Sequence, residues 1–343
     1  MSFRAKDWEN AARELVAHFE SRTDLIPAPE ERKIKNLDPD FDRSYADLVA
    51  TMAIRDGNPD STPEKLLKKG FEEFGRNDML WVATGGEEGQ RPKKTSVQYP
   101  YSKYYLMRSD WSPEALYMCL KNGRYSSHGH SDSLGFVMYA CGNAIFVEPG
   151  VYIYGTPEAV RHNAARSHST VSVDEKNLEN GGGPNQFFAG ESVDYINAVG
   201  PRYLGLPKSI YPVRRVVFLK PDYWVFSDVV RGEGKHQIDS RFHYANKNAV
   251  LDPDNQVALR AYETGGNLAV IPVDPKVISS QFEDGDVAGS RDKLTPTQIL
   301  KQSGAGLRNR SRPKTGSSGR FRVSRLTSFS WTTRWITSLS KNR

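Results

Sequence analysis

From Gln98 onward the chain is cut into short runs of β-branched and aromatic residues separated by Gly, Asn, Pro and Asp, and this limits the fold more than any other feature. The runs are Tyr104–Arg108, Ala115–Leu120, Leu134–Cys141, Ala144–Val147, Thr170–Val173, Val213–Leu219, Tyr223–Val230, His236–Tyr244, Gln256–Ala261 and Leu268–Val273. Each is too short for a stable helix and ends in turn residues, so each reads as a strand. Many short strands in succession fit a large antiparallel β-sandwich.

Before Gln98 the periodicity is helical. In Ala5–Arg22, the residues Trp8, Ala12, Leu15 and Phe19 recur at three- and four-residue steps among charged neighbours, which marks an amphipathic helix. A polar stretch from Thr23 to Asp40 reads as loop, and Ser44–Arg55 as a second helical patch. A third helix has clear ends, with Thr62 as N-cap, Pro63 at the first helical position and Gly75 after Phe74. These pieces are too few to close a domain; they read as the end of a helical domain and its connector.

At 343 residues there is room for one large or two medium domains. No apolar run approaches the ~20 residues of a membrane-spanning helix. The first residues, Met1 to Trp8, contain no apolar core of a signal peptide, so the chain as given is expected in the cytoplasm. Cys119 and Cys141 both lie in apolar strand-like runs and read as buried free thiols.

The formal charge of +6 would point to a polyanionic partner, but its location changes the reading. From Leu307 to Arg343 there are eight Arg, two Lys and no Asp or Glu, so residues 1–306 carry +6 − 10 = −4. The basic tail reads either as a disordered arm for nucleic acid or, preferred here, as translation of a shifted reading frame. A nucleic-acid partner is therefore disfavoured. No strand is visible after Gly306, and Arg214-Arg215, inside an apolar run, reads as edge or surface charge.

The chemistry is concentrated between Asn122 and Asp174, which hold four of the seven histidines, His128, His130, His162 and His168. His128-Gly-His130-Ser-Asp132 precedes one strand, Glu148-Pro-Gly follows the next, and Arg166-Ser-His168-Ser-Thr170 leads into a third. Strand ends present side chains accurately. Two imidazoles and a carboxylate suffice for zinc with one position open. Spacing alone leaves this open, because His-x-His also describes two loop histidines and Asp132 could cap a turn.

Four ordered motifs carry a resemblance. Tyr99-Pro-Tyr-Ser-Lys-Tyr-Tyr-Leu-Met-Arg-Ser-Asp-Trp111, then His-Gly-His-Ser-Asp, Glu-Pro-Gly-Val-Tyr and Ser-His-Ser-Thr-Val-Ser-Val-Asp resemble the heparinase II/III-like lyases, which include alginate and oligo-alginate lyases. Similarity runs from about Trp8 to Ala305 and is strongest from Gln98 to Asp174. The resemblance implies an α+β chain in which the C-terminal remnant of an (α/α) toroid precedes a large antiparallel β-sandwich. It divides the chain into residues 1–90 (toroid end and connector), 91–306 (sandwich) and 307–343 (the basic Ser/Arg-rich tail, disordered or frame-shifted).

By motif position the resemblance makes His130, Glu148 and His168 the ligands of a structural Zn2+ and His128 the catalytic histidine. Asp is more usual where Glu148 stands, Gly where Lys103 stands, and His-Asn-Thr where this chain has His168-Ser-Thr. Arg161, Arg166 and Tyr125 are the candidate substrate-binding residues. The implied reaction is β-elimination on a uronate-containing polysaccharide such as heparin, heparan sulfate or alginate. It needs neutralisation of a carboxylate, a base, and an acid for the leaving oxygen. In the family a Tyr and an Asn-His pair of the toroid complete the site, and this sequence contains no Asn-His dipeptide. The expectation is thus an incomplete fragment with weak activity or none, whose partner is an acidic poly- or oligosaccharide. The alternative is a non-catalytic, metal-stabilised carbohydrate-binding sandwich. Intact relatives are expected in the periplasm or cell envelope, and a homodimer is left open.

Overall fold

The structure is a computed structural model describing residues 63–124, 129–260, 268–290, 293–305 and 328–332. The helices expected at Ala5–Arg22 and Ser44–Arg55, and with them most of the proposed toroid remnant, lie outside these residues. The third expected helix is present as α1 (Pro63–Phe74), and Gly75 follows it with φ +64°, where a side chain would be strained. A second helix, α2 (Asn77–Ala83), packs on it through Leu67, Met79 and Ala83.

Two antiparallel sheets make up the rest. Along the first lie β1 (Val97–Tyr99), β2 (Tyr104–Arg108), β3 (Tyr117–Lys121), β4 (Phe136–Ala140) and β5 (Asn143–Phe146). It continues through β11 (Gln237–Tyr244) and β16 (Lys293–Ala305) to β15 (Ser279–Ser290), and β6 (Val171–Val173) also pairs with β11. The second begins with β12 (Ala249–Asp252), β13 (Val257–Arg260), β14 (Leu268–Pro272) and β17 (Ser328–Thr332). Its other half is β10 (Tyr223–Arg231), β9 (Tyr211–Leu219), β8 (Val193–Val199) and β7 (Asn185–Ala189). A third helix, α3 (Pro157–Asn163), lies in the β5–β6 connection.

Alternation decides which face of each strand is buried. On β4, Phe136, Met138 and Ala140 point inward while Tyr139 faces solvent. Phe136 meets Phe226 of the second sheet at a ring-centroid distance of 4.9 Å, and Phe146 and Phe242 close around it. Each fully buried ring of this kind is worth roughly 1.5–3 kcal/mol in transfer free energy. Phe218 and Trp224 stack at 4.2 Å within the same core.

The ten strand-like runs each contain an observed strand. Seven further strands were not legible: β1, β7, β8, β12, β15, β16 and β17. The long β15–β16 hairpin is polar, and its outer face is tied by ions, with Lys301 Nζ 2.8 Å from Glu283 and Arg241 Nε 3.1 Å from the same carboxyl. Such strands lack the apolar alternation that marks a half-buried strand.

Two sequence readings are corrected. Residues 307–343 are not without a strand: Ser328–Thr332 pairs with Val225–Val229 of β10 and with Ile271 and Pro272 of β14. Its Ser-Phe-Ser-Trp-Thr alternation was hidden by a basic context. Arg214 is not surface charge; it is fully buried and paired with Asp228 directly across the β9–β10 ladder. Neither cysteine is in a disulfide, as read, although each is only half-buried.

Candidate functional site

Three strand ends in the first sheet assemble the site: the approach to β4, the exit of β5 and the approach to β6. The β5 exit carries Glu148, aligned by Val147, whose N–H donates to the His243 carbonyl at 2.9 Å. After it the chain forms α3, which starts cleanly because Thr156 accepts a hydrogen bond from the Ala159 N–H and Pro157 occupies the first turn. A 3-10 turn, Ala165–Ser167, then delivers His168 as its C-cap. Two clips fix the β4 approach to this connection. Ser131 N–H donates to the Asn163 carbonyl at 2.8 Å, and the Thr170 hydroxyl donates to the Ser133 carbonyl at 2.6 Å.

His130, Glu148 and His168 are thereby neighbours. His168 is fully buried and hydrogen-bonds Glu148 through Nδ1, and the His130 ring lies 5.2 Å from the His168 ring. Burial, with the charge of His168 beside it, lowers the pKa of His130 to about 4, so it is neutral at physiological pH. Burial also works against protonation of His168, but the Glu148 carboxylate wins and holds its pKa above the ordinary value. Asp132 does not cap a turn with its side chain; it pairs with Lys121 Nζ at 2.6 Å.

These donors suit zinc in kind: one neutral imidazole, one carboxylate and one imidazole whose Nε2 is buried without a hydrogen-bond partner among the described residues. Convergence is incomplete, because no group of three His, Cys, Asp or Glu among the described residues closes around a cation position. The Glu148–His168 hydrogen bond takes up His168 Nδ1, so Nε2 is the ring nitrogen left for a ligand.

Other expected site residues are placed unevenly. His128 and Tyr125 lie outside the described residues. Arg161 is committed to an ion pair with Asp286 of β15, and the buried His162 binds the same carboxyl. Arg166 is exposed on the 3-10 turn two residues before His168. Lys103 is used structurally, with Nζ donating to the Gly182 and Gly183 carbonyls at 2.9 Å each. Asn122, six residues before His128, is fully buried and donates to Asn185 and the Val199 carbonyl.

Two residues outside the motifs hold this corner from behind. The Arg214 guanidinium reaches from β9 and donates through Nη1 to the carbonyls of Leu134 at 2.8 Å and Ser169 at 2.7 Å. His243 of β11 donates from Nδ1 to the Ser167 carbonyl at 2.8 Å and accepts from the Thr297 hydroxyl at 2.7 Å. Opposite charges in adjacent apolar runs, Arg214 and Asp228, were the available signal.

A family model described as heparinase II/III-like, C-terminal, matches residues 91–332. The chain is similar to a heparin-sulfate lyase of Pedobacter heparinus, 25% identical over 299 residues that cover 80% of this chain and 45% of that protein. A heparin-sulfate lyase of Bacteroides stercoris is 23% identical over 271 residues, covering 72% of this chain and 40% of its own length. Among solved structures, heparan sulfate lyase HepC from Pedobacter heparinus aligns with a TM-score of 0.67 at 19% identity, over 80% of this chain and 42% of that one. A structure of heparinase III aligns at 0.66 and 18% identity, over 88% and 49%. This likeness is one of fold, and the chain spans less than half the length of each of these relatives.

Proposed function

Through its C-terminal domain the chain belongs to the heparinase II/III-like family, and we propose that it is the sandwich part of a polysaccharide lyase acting by β-elimination on uronate-containing chains. The reading is supported by the family match across 91–332, which contains the whole His130, Glu148 and His168 corner. Heparin or heparan sulfate is the first substrate class, since the relatives named above are lyases of that kind; alginate is the second.

In this reaction a base removes the proton beside the uronate carboxylate and the bond to the leaving sugar oxygen breaks. A ring C=C forms, and the leaving oxygen takes up a proton. His128, by its motif position, is the sandwich's contribution to that proton traffic. Arg166, exposed two residues before His168, would meet a substrate carboxylate or sulfate. His130, Glu148 and His168 would hold a structural Zn2+, which would cross-link the three strand ends when bound. Closing that site would require the three side chains to draw together around the ion.

No Asn-His dipeptide occurs in the sequence, so the chain alone is proposed to turn over little or no substrate. The test is ultraviolet absorbance of unsaturated uronate from heparan sulfate or alginate. The chain alone is expected to give none. Fused to the helical part of the Pedobacter heparinus relative, it is expected to give product, and His128→Ala in the fusion is expected to abolish it. A well-folded but inactive fusion would sink the reading. Metal analysis of the purified chain, repeated with His168→Ala, tests the zinc assignment separately.

A further inference from the structure

The outer face of β2–β4, at the far end of β4 from Asp132, carries a continuous row of rings and one guanidinium. Arg108 lies directly across from Tyr117, and Tyr117 directly across from Tyr139. The Arg108 guanidinium sits 3.8 Å from the Trp111 ring centre and 4.9 Å from that of Tyr117. Tyr117 and Tyr139 are 6.1 Å apart, and at the other end Trp111 meets Trp81 of α2 edge-on at 6.4 Å. Trp111 is fixed by its N–H, which donates to the Lys94 carbonyl at 3.2 Å.

Their edge-on contact with each other accounts for Trp81 and Trp111. It does not account for Tyr139, which lies at the opposite end of the row and is 46% exposed. Large rings on the solvent face of a strand keep apolar area in water that the core does not need. Beside the row the segment Arg91-Pro-Lys93-Lys94 presents three exposed cations, against Asp110 and the exposed Glu114. Asp110 is itself engaged by Ser109 and by the Ser112 N–H. The face is therefore aromatic along its length and cationic along its rim.

We propose that this face is a second glycan-binding surface, separate from the His130, Glu148 and His168 corner, that takes an acidic polysaccharide. Sugar C–H faces stack on Tyr139, Tyr117 and the open part of Trp111, because the negative face of an aromatic ring attracts the weakly positive C–H bonds. Sulfates or carboxylates meet Arg91, Lys93 and Lys94. Arg108, held against the Trp111 and Tyr117 rings, adds charge to the row. The choice of an acidic glycan rests on the proposed function above; the choice of surface does not. Such a surface would hold a long chain on the protein while its end is worked on elsewhere.

The test measures binding of size-fractionated heparan sulfate oligosaccharides to the full chain by calorimetry and tryptophan fluorescence, with a neutral glucan oligosaccharide as comparison. Tyr139→Ala removes an exposed ring, leaves the core intact, and is expected to weaken binding about 3–10-fold. The triple change of Arg91, Lys93 and Lys94 to Gln is expected to weaken binding further and flatten its salt dependence. Arg166→Gln removes only what the other corner adds to binding, so in that background Tyr139→Ala is expected to weaken the remaining affinity by the same factor. The proposal is overturned if the wild-type chain does not bind. It is also overturned if Tyr139→Ala binds as wild type, even where the triple variant fails, since that would be charge attraction without stacking. Loss in Arg166→Gln alone would move binding to the first corner and leave the lyase reading standing. Loss in Tyr139→Ala with an inactive fusion would uphold this surface and remove the lyase reading.

Discussion

Arg214 and Asp228 face each other across the β9–β10 ladder and form a two-point ion pair, with nitrogen–oxygen distances of 2.7 and 2.8 Å, entirely inside the sandwich. The pair is saturated. The five N–H bonds of the guanidinium meet two Asp228 oxygens, the Leu134 and Ser169 carbonyls and the Ser240 hydroxyl. It also lies over Phe136 and Phe226, with its carbon 5.2 and 5.7 Å from their ring centres. A buried charge is tolerable only on such terms.

Removing one partner is therefore expected to cost far more than removing both. Arg214→Met leaves the Asp228 carboxylate and two carbonyls without their donor, and should lower unfolding free energy by about 3–5 kcal/mol. Adding Asp228→Leu should recover a large part of that loss. Chemical denaturation of the two single variants and the double variant reads the coupling. Additive losses would show that the pair does not act as a unit.

His243 should act on the site through Ser167, the residue before His168. It is buried and bonded at both ring nitrogens. His243→Phe keeps the volume but strands the Ser167 carbonyl and the Thr297 hydroxyl, an expected cost of about 1–3 kcal/mol. His243→Gln, which can still donate and accept, should restore part of it. If His243 also positions His168, the Phe variant should bind zinc more weakly than the Gln variant at a temperature where both are folded. Equal zinc affinities would limit His243 to a packing role.

The surface pair His236–Asp174 gives the chain a small pH dependence of definite sign. His236 Nδ1 lies 2.6 Å from the Asp174 carboxyl, and this hydrogen bond raises the histidine's pKa. Burial pulls the Asp174 pKa up, but the bonds from His236 and the Gln237 N–H overcome it and the net shift is downward. The histidine's contribution is complete below its unfolded pKa of about 6.5 and disappears as pH rises through the folded value. The aspartate's is complete above about 3.8 and disappears as pH falls through its folded value. The pair thus stabilises most between about pH 4 and 6.5, by an amount typical of exposed pairs, about 0.2–1 kcal/mol. Asp174 has φ +49°, a conformation Asn also accepts, so Asp174→Asn isolates the charge. Titration of His236 by NMR should show its pKa falling in that variant; an unchanged value would refute the coupling.

Legibility in the sequence followed the physics of burial. β4 could be read because Phe136, Met138 and Ala140 alternate with Val137 and Tyr139. β15 and β16 could not, because their stability comes from long ladder pairing and from ions such as Glu283 and Lys301, which look like loop composition. The histidines and Glu148 were legible as ordered motifs. Arg214 was not, since one sequence shows a charge in a strand but not the register that sets Asp228 opposite. Arg161 was read as facing substrate because its partner, Asp286, lies 125 residues away.

Gly135 is a further point where sequence and site meet. A Cβ there would come within 2.6 Å of the Asp132 carbonyl oxygen and 3.4 Å of Glu148 Oε1. The first contact is with backbone and cannot be relieved by a side-chain rotation. Gly135→Ala should destabilise the chain by about 1–3 kcal/mol and shift Glu148 away from His168. Denaturation and metal analysis together read both effects; a variant as stable as wild type with full metal content would contradict this packing.

The strand Ser328–Thr332 offers a direct test of whether the basic tail belongs to the fold. It lies between β10 and β14, and pairing through it is what makes those strands parts of one sheet. A chain ending at Gly306 would expose two sheet edges to solvent, each a row of unpaired backbone donors and acceptors. The truncated chain is expected to melt at a lower temperature and to aggregate at concentrations where the full chain stays monodisperse. Size-exclusion chromatography with light scattering and a thermal melt would read this. If truncation at Gly306 left both measurements unchanged, the tail would contribute nothing to the sandwich, as expected for translation out of frame.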